Sequence, residues 1–157
     1  MPTLAKEPAV TMVTISSLNH GAMEVAEESL VSFVTPLLGF ERLKRFHIYQ
    51  TRPGPTYWMQ STEDMRVGFC MLAPFQAGLD VRIDITPNDV ADIGASGVDD
   101  IEIYALVVLN RDPNLRRTNL RAPILVCRST RRAKQVVLAD PKLPIKFLLR
   151  DLNILDV

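Results

Sequence analysis

The 157-residue chain contains few of the side chains on which catalytic and metal sites usually depend. It has two cysteines, Cys70 and Cys127, and two histidines, His20 and His47. Because no CxxC pair, HExxH motif or cysteine cluster is present, a metal site lacks ligands. Each cysteine lies within an apolar run, which predicts buried structural thiols. His20 follows Asn19 in a turn signal, and His47 falls on the polar face of an alternating segment, where we expect it to be exposed.

Signatures of nucleotide use and of nucleophilic catalysis are also missing. The seven glycines are scattered, and neither GxxxxGK nor GxGxxG occurs. There is no GxSxG, although a Ser/His/Asp arrangement that assembles only in space stays open at this point. We therefore predict that the protein needs no cofactor and is not an enzyme.

No apolar run approaches the roughly 18 residues that a membrane helix requires. Lys6 and Glu7 stand where a signal peptide would have its apolar core. We therefore expect a cytoplasmic protein that does not enter a membrane.

The formal net charge of zero conceals a division along the chain. Residues 1–110 carry 14 acidic and 7 basic side chains, whereas residues 111–157 carry 4 and 11. One interpretation is a protein with distinct acidic and basic faces that steer its partners. The other is that neighbouring strands mix the two segments, so that the charges average into an ordinary solvated surface.

Short alternating or β-branched segments separated by turn residues dominate the chain. A composition of 47 % apolar residues supports one core, so we predict a disordered tail over residues 1–8 and a single domain over 9–157. Such a series of strands is typical of an all-β fold, here an antiparallel, β-barrel-like domain. The predicted strands are Ala9–Ser16, Ala22–Val25, Leu30–Val34, Arg45–Gln50, Tyr57–Ser61, Val67–Leu72, Val81–Ile85, Ile101–Leu109, Thr118–Val126 and Ala133–Leu138.

Two segments suggest helices. Thr86 and Pro87 are a cap and a first-turn residue, and they predict one short internal helix that ends by Ile93. Near the C-terminus, Pro144–Leu155 has leucines at helical spacing, which indicates a short amphipathic helix. A strand over Ile145–Leu149 remains the alternative for that segment.

Four segments stand out in order along the chain: Phe33–Glu41 (FVTPLLGFE), Met59-Gln60-Ser61, Thr118–Val126 (TNLRAPILV) and Ala133–Leu138 (AKQVVL). Together they resemble the FliW family of flagellar assembly factors. Together with the intervening sequence, the resemblance runs from about Gly21 to Leu149. The chain departs from the family at Leu38, where a proline is usual, and this departure leaves the turn less rigid.

The residues that carry the resemblance are of types that a fold needs: glycine in a turn, phenylalanine in a core, proline at the entry to a strand. We interpret them as mainly structural, with Gln60, Asn119 and Gln135 also able to offer polar groups to a partner. The set comprises Gly39, Phe40, Glu41, Gln60, Ser61, Asn119, Leu120, Pro123 and Gln135.

The resemblance implies a non-catalytic regulator with two protein partners. Proteins of this family bind the translational repressor CsrA, which relieves repression of flagellin synthesis, and they bind flagellin in competition. It also agrees with a compact β-barrel-like fold, and we expect a monomer. Charge complementarity to an RNA-binding repressor points to the acidic segments, where a solvated surface is the alternative interpretation. The candidate residues are Glu24, Glu27, Glu28, Glu63, Asp64, Asp99, Asp100 and Glu102.

A second functional hypothesis is a small basic-patched β-barrel that binds single-stranded nucleic acid. Between Arg111 and Lys134 there are eight basic residues and a single acidic one, Asp112. Barrels that bind single strands combine a basic groove with stacking aromatic side chains. The same segment contains no Phe, Tyr or Trp, so we predict no direct nucleic-acid binding.

Overall fold

The computed structural model describes residues 9–155, and β-strands account for most of its regular structure. The predicted tail over residues 1–8 lies outside this range. One α-helix, α1 (Pro87–Asp92), is present in the described range, together with four short 3-10 helices. The strands are β1 (Met12–Ser17), β2 (Gly21–Ala26), β3 (Val31–Phe33), β4 (Arg45–Tyr49), β5 (Thr56–Ser61), β6 (Gly68–Leu72), β7 (Ile101–Val108), β8 (Arg117–Thr118), β9 (Ile124–Cys127), β10 (Arg132–Gln135) and β11 (Phe147–Leu148).

Seven strands close into a barrel in the order β7-β6-β5-β4-β3-β10-β9, and β9 pairs back to β7. All of these pairings are antiparallel except that of β10 with β3, in which Ala133 lies beside Phe33. Closure is set by β7, which pairs with β6 through Leu72 and Ala105 and with β9 through Ile101 and Cys127. The predicted all-β, barrel-like fold with one short helix is confirmed.

The barrel interior is filled by side chains from alternate positions of its strands. Phe46, Met59 and Met71 come from three successive strands and are fully buried, and Tyr104 and Val126 join them from the opposite wall. Phe33 and Phe46 meet edge to face with ring centroids 5.2 Å apart. The period-two pattern in the sequence therefore distinguishes residues that face the barrel interior from residues on its outer surface.

Peripheral segments cover much of the outer surface of the barrel. The β1–β2 hairpin turns at Gly21, which has a positive φ of 77°, and His20 in that turn packs edge to face on Trp58. Helix α1 begins after Thr86, the cap that the sequence predicted, and a reciprocal bond from Thr86 N to Asp89 makes it a capping box. Behind it, the fully buried Ile93 packs against the outer face of β9.

Two predicted elements take a different form. Val81–Ile85 alternates between half-buried and exposed residues as expected, but it pairs with no strand of the described chain. The helix predicted over Pro144–Leu155 is mainly replaced by β11, which pairs with β8, and by a 3-10 helix over Leu149–Leu152. Leu149 is fully buried against β6 and β7, so packing on the barrel overrides the helical spacing.

Three further sequence predictions need local correction. The segment Thr118–Val126 is not one strand, because residues 119–123 form a turn between β8 and β9. The strand predicted over Leu30–Val34 is shorter, because β3 covers Val31–Phe33, and Glu27 and Glu28 before it lie in a 3-10 helix. His47 is not freely exposed: its Nδ1 is buried without a partner among the described residues, and burial, followed by the charge of Arg131, lowers its pKa.

No helix among residues 9–155 has the length and apolar character that crossing a membrane requires.

Candidate partner-binding surfaces

Most of the family-motif residues meet at one end of the barrel, where β3 and β10 finish and β9 begins. An open groove of about 440 Å³ lies there, and we call it the apolar mouth. Phe69 and Leu106 line it from inside the barrel, and the remaining residues come from loops and strand ends. Those residues are Pro36, Leu37, Leu38, Phe40, Asn119, Ala122, Gln135 and Val137.

The loop after β3 places adjacent leucines in opposite environments. Leu37 is 2 % exposed and belongs to the barrel core, whereas Leu38 is 88 % exposed at the rim of the apolar mouth. Gly39 adopts a positive φ of 87°, which glycine accepts without strain, and its N–H donates to Glu41 Oε1 over 3.1 Å. Main-chain hydrogen bonds of this kind lower the pKa of Glu41. Leu37 thus anchors the loop to the core.

Phe40 has a different place from the one expected. It was predicted to anchor the loop in the core, but it is 36 % exposed and stacks edge to face on Phe69 with centroids 5.0 Å apart. It therefore forms part of the apolar wall of the mouth. The sequence did not distinguish Leu37 from Phe40 as the anchor, since both are apolar and both flank the turn.

The turn before β9 forms the opposite rim. Asn119 Oδ1 accepts a hydrogen bond from Arg121 N at 2.9 Å, which closes a local turn. Leu120 is fully buried against Ala105 and Leu143. Pro123 is buried, and its carbonyl accepts from Val136 N at 3.0 Å. All three motif residues therefore have contacts within the molecule, and Asn119 also lines the mouth.

Gln135 and Val137 complete this end of the barrel. The Gln135 side-chain amide donates to Ala122 O at 3.1 Å, joining β10 to the turn before β9. Val137 is 84 % exposed and lines the groove. Sequence reasoning identified Gln135 from the motif but missed Leu38 and Val137. Leu38 follows Leu37 and Val137 follows Val136. The alternation of a strand predicts that one residue of each pair is exposed, and it was the only signal in the sequence that could have identified them.

Gln60 and Ser61, the other motif residues, serve the β5–β6 hairpin and do not line the apolar mouth. Gln60 is 1 % exposed, and its side-chain amide donates to Val67 O at 2.9 Å and accepts from Trp58 Nε1 at 3.1 Å. Ser61 Oγ accepts from the main-chain N–H groups of Glu63 and Asp64, each at 3.1 Å. Both residues are fully engaged in holding the hairpin.

The opposite end of the barrel, where β9 finishes and β7 and β10 begin, has a different character. A cavity of about 850 Å³ opens there, and we call it the polar mouth. Tyr104 Oη donates to Glu102 Oε2 at 2.5 Å, and Arg128 Nε lies 3.3 Å from Glu102 Oε1. Arg131 has a positive φ of 57° and donates through Nε to Ser29 O at 3.3 Å. Apolar residues make up most of the rest of the lining, and Phe75 and Val98 among them are 51 % and 59 % exposed.

Asp100 fastens the turn that follows β9 at the polar mouth. Its carboxylate accepts from Ser129 Oγ at 2.5 Å, from Cys127 Sγ at 3.2 Å and from the main-chain N–H of Ser96 at 3.2 Å. The hydrogen bonds from Ser129 and then from Cys127 lower the pKa of Asp100 to about 2. Three residues of the acidic candidate set, Asp99, Asp100 and Glu102, thus lie together at this end, and two of them hold internal contacts.

The remaining acidic candidates lie on the outer surface of the barrel. Glu27 pairs with Arg45 at 3.5 Å, while Glu63 accepts from the main-chain N–H groups of Lys44 and Arg45. Asp64 pairs with the Arg66 guanidinium at 3.0 Å. Glu24 and Glu28 are exposed, on β2 and in the following 3-10 helix respectively. These two carboxylates are therefore the members of the outer group most accessible to a partner.

The basic residues between Arg111 and Lys134 do not line one groove. Arg121 donates to the carbonyls of Leu143 and Pro141, and Lys134 bridges Asp89 and Asp92 of α1 at 2.9 Å each. Arg128 and Arg131 lie instead at the polar mouth. These four side chains therefore lie at three separate places on the molecule.

Candidate metal ligands are dispersed. Over residues 9–155, no three His, Cys, Asp or Glu side chains are grouped closely enough to hold a metal ion. Cys70 and Cys127 are both free and buried. Burial raises the pKa of the Cys70 thiol to about 11, which suits a packing role and not a nucleophile.

Comparison with known proteins matches residues 14–149 to the FliW protein family. The chain belongs to the FliW family. The match spans the barrel, the apolar mouth and the polar mouth, and it includes all four segments on which the sequence resemblance depended.

Individual relatives and a solved structure agree with this assignment. Flagellar assembly factor FliW of Caldicellulosiruptor saccharolyticus is 31 % identical over 86 % of this chain and 89 % of its own length. The protein of the same name from Clostridium botulinum is 30 % identical over 88 % of this chain and 98 % of its own. A crystal structure of the flagellar assembly factor FliW superposes with a TM-score of 0.78 at 28 % identity, covering 87 % of this chain and 96 % of that one.

Proposed function

We propose that this protein is a non-catalytic flagellar assembly factor that binds CsrA and, in competition, flagellin. The observation that carries this proposal is membership of the FliW family over residues 14–149, and three motif residues, Phe40, Asn119 and Gln135, line one open groove. An exposed apolar groove rimmed by polar residues is typical of a protein-interaction site. The predicted cytoplasmic location and monomeric state belong to the same proposal.

The proposed regulation is a coupling between two binding sites on CsrA. Binding of this protein away from the RNA-binding surface of CsrA lowers the affinity of CsrA for RNA by a coupling free energy. When flagellin accumulates, it occupies this protein, and the released CsrA represses further flagellin synthesis. When flagellin is exported, this protein returns to CsrA and relieves the repression.

The central experiment is a competition measured by calorimetry. Purified protein is titrated with CsrA and with flagellin from the same organism, at tens of micromolar, singly and then with the other partner already bound. The expected result is binding of each partner alone and loss of binding when the other is present. If neither partner binds, the proposed function is wrong. If both partners bind at the same time, only the proposed competition between them is wrong.

Two accessible carboxylates favour an electrostatic contribution to CsrA binding. Glu24 and Glu28 are exposed on β2 and the following 3-10 helix, whereas Asp100 and Glu63 are occupied by main-chain N–H groups. Complementary charges at the rim of an interface act mainly on the association rate. The double variant Glu24→Lys, Glu28→Lys is expected to bind CsrA about tenfold more slowly at low salt.

The matched control for that experiment is Asp99→Lys, which reverses an exposed charge at the polar mouth. An association rate that stays unchanged in the double variant and falls in Asp99→Lys would move the CsrA surface to the polar mouth. Circular dichroism melting of each variant establishes that the fold is retained.

Single-stranded nucleic-acid binding is the competing function, and the contacts of the basic residues disfavour it. Arg121, Lys134 and Arg128 engage acceptors at separate places on the molecule. We expect only weak retention of oligonucleotides, which falls steeply with added salt. Submicromolar binding at about 150 mM salt would favour the nucleic-acid function instead.

A further inference from the structure

Strand β10 continues beyond the point where its neighbour β3 turns away. The last bond between the two segments is donated by Val34 N to Ala133 O at 2.9 Å. The chain after Val34 then enters the loop that contains Leu37 and Leu38. Beyond β10, however, the chain stays extended and bonded on its other side, with Leu138 N donating to Arg121 O at 2.7 Å.

Hydrogen bonding along this extension leaves one edge open. Val136 N and Leu138 N donate toward the turn before β9. Because main-chain groups alternate in direction along a strand, those of Gln135 and Val137 are directed to the side that β3 has left. The pairing of β10 with β3 ends at Ala133 and Phe33, and within residues 9–155 no hydrogen bond is donated by Val137 N–H or, toward the side of β3, by Gln135 N–H.

Apolar side chains surround this edge. Leu38 and Val137 are 88 % and 84 % exposed, and Phe40 adds part of its ring. The lining of the apolar mouth contains no charged residue, and its polar side chains are the amides of Asn119 and Gln135. A long apolar patch beside an open strand edge is an unfavourable surface to leave in water.

We propose that this edge and the apolar mouth bind an extended, uncharged segment of a partner polypeptide, which adds a strand beside Gln135 and Val137. Alternate apolar side chains of the segment enter the groove near Phe69 and Leu106. The proposal rests on the proposed function, because the segment would belong to one of the two proposed partner proteins.

Two features of the site specify this occupant. The unpaired main-chain donors and acceptors of β10 can pair with those of another extended chain. A helix cannot pair with them, because its main-chain groups already bond within the helix. A lining without charge disfavours a charged segment, since its ionic groups would lose hydration without gaining a partner. A second copy of this protein could pair the same edge with its own, and a concentration-dependent dimer is the outcome that would identify that occupant.

The test uses a capped synthetic peptide that alternates valine and threonine, with a pair of lysines at each end for solubility. It is titrated into the ¹⁵N-labelled full chain and followed by amide NMR. The expected result is that the Gln135 and Val137 amide signals shift and exchange more slowly with solvent. Leu38→Asp and Val137→Asp are each expected to weaken binding about tenfold or more. Val98→Asp, an exposed valine at the polar mouth, is the control and is expected to bind as the parent does.

A second set of peptides tests strand addition itself. Two peptides are N-methylated at alternate residues, one at the odd and one at the even positions. Each lacks the N–H groups of one edge of the extended peptide. Methylation of the edge that pairs with β10 is expected to abolish binding, while methylation of the other edge leaves it intact. Equal tolerance of both patterns would overturn strand addition.

Other outcomes also overturn the proposal. They are unshifted Gln135 and Val137 amides, binding unaffected by both aspartate variants, or a concentration-dependent dimer that shifts the same amides without peptide. The calorimetric titration with whole CsrA and whole flagellin distinguishes the two proposals. Binding of whole partners without peptide binding contradicts strand addition alone, whereas peptide binding without either partner contradicts the proposed function.

Discussion

The two ends of the barrel are closed by different kinds of interaction. At the apolar mouth, Leu37 fills the core and Phe40 stacks on Phe69. At the polar mouth, Asp100 and Arg131 fasten turns through hydrogen bonds to main-chain and hydroxyl groups. Truncation of a side chain should therefore lower stability most at the apolar mouth, whereas a fall in pH should weaken the hydrogen bonds at the polar mouth.

This difference also bears on which end is suited to a partner. At the polar mouth, Glu102 is already bonded to Tyr104 and Arg128, so its charge is satisfied within the molecule. Leu38 and Val137 at the apolar mouth, at 88 % and 84 %, are more exposed than Phe75 and Val98 at the polar mouth, at 51 % and 59 %. Burying them against a protein would recover hydrophobic free energy, roughly 25 cal/mol for each Å² removed from water.

The largest effect on stability is expected at the anchor of the apolar mouth. Leu37→Ala removes a buried side chain and leaves a cavity, so it should lower the free energy of unfolding by roughly 2–5 kcal/mol. Leu38→Ala, one residue away and exposed, should change it by less than about 0.5 kcal/mol. Urea unfolding of both variants measures the contrast. Equal losses would show that the loop does not hold this end through Leu37.

A smaller effect is expected at the opposite rim of the same mouth. Asn119→Ala removes the side-chain acceptor for Arg121 N, a hydrogen bond worth about 1 kcal/mol. The melting temperature should fall by about 2–4 °C in a domain of this size. Calorimetric melting measures it, with Asn119→Asp as the variant that keeps an acceptor oxygen. A fully stable alanine variant that no longer binds flagellin would instead make Asn119 a direct contact.

The last prediction concerns the polar mouth and the titration of Asp100. It changes stability only in acid and leaves stability at neutral pH unaffected. The pKa of Asp100 falls from an ordinary 3.8 to about 2 in the folded protein, so its stabilising contribution is complete above the unfolded value. That contribution is lost as the pH falls from about 4 to about 2. Unfolding measured over this range should show a steeper loss of stability in the parent than in Asp100→Asn. Parallel curves would mean that Asp100 does not fasten this end through its charge.

Local structure was largely predictable from the sequence. The turn at His20 and Gly21, the short helix capped by Thr86, and the strands from Arg45 to Leu72 depend on neighbours in the chain. At Pro144–Leu155 the amphipathic helix was wrong, whereas the alternative strand over Ile145–Leu149 agrees with β11. A 3-10 helix follows it and packs on β6 and β7. Alternation over Val81–Ile85 indicated burial correctly but not hydrogen bonding, because pairing needs a partner strand.

The candidate sites were less predictable than the elements. The motif identified Phe40, Asn119 and Gln135, but nothing in it indicated that they line one groove with Leu38 and Val137. The acidic set was found from charge alone, and charge does not show that Asp100 and Glu63 already accept main-chain hydrogen bonds. Both gaps concern contacts between residues far apart in the chain.

The sequence by itself determined the β-rich composition, the turns and the family, because strand alternation, turn residues and motifs are properties of short segments. The tertiary structure alone decided where β3 leaves β10 and which side chains meet at each end of the barrel. Barrel closure brings residues 38, 119 and 137 together across about 100 positions of chain, and packing between such distant residues has no signature in any one segment.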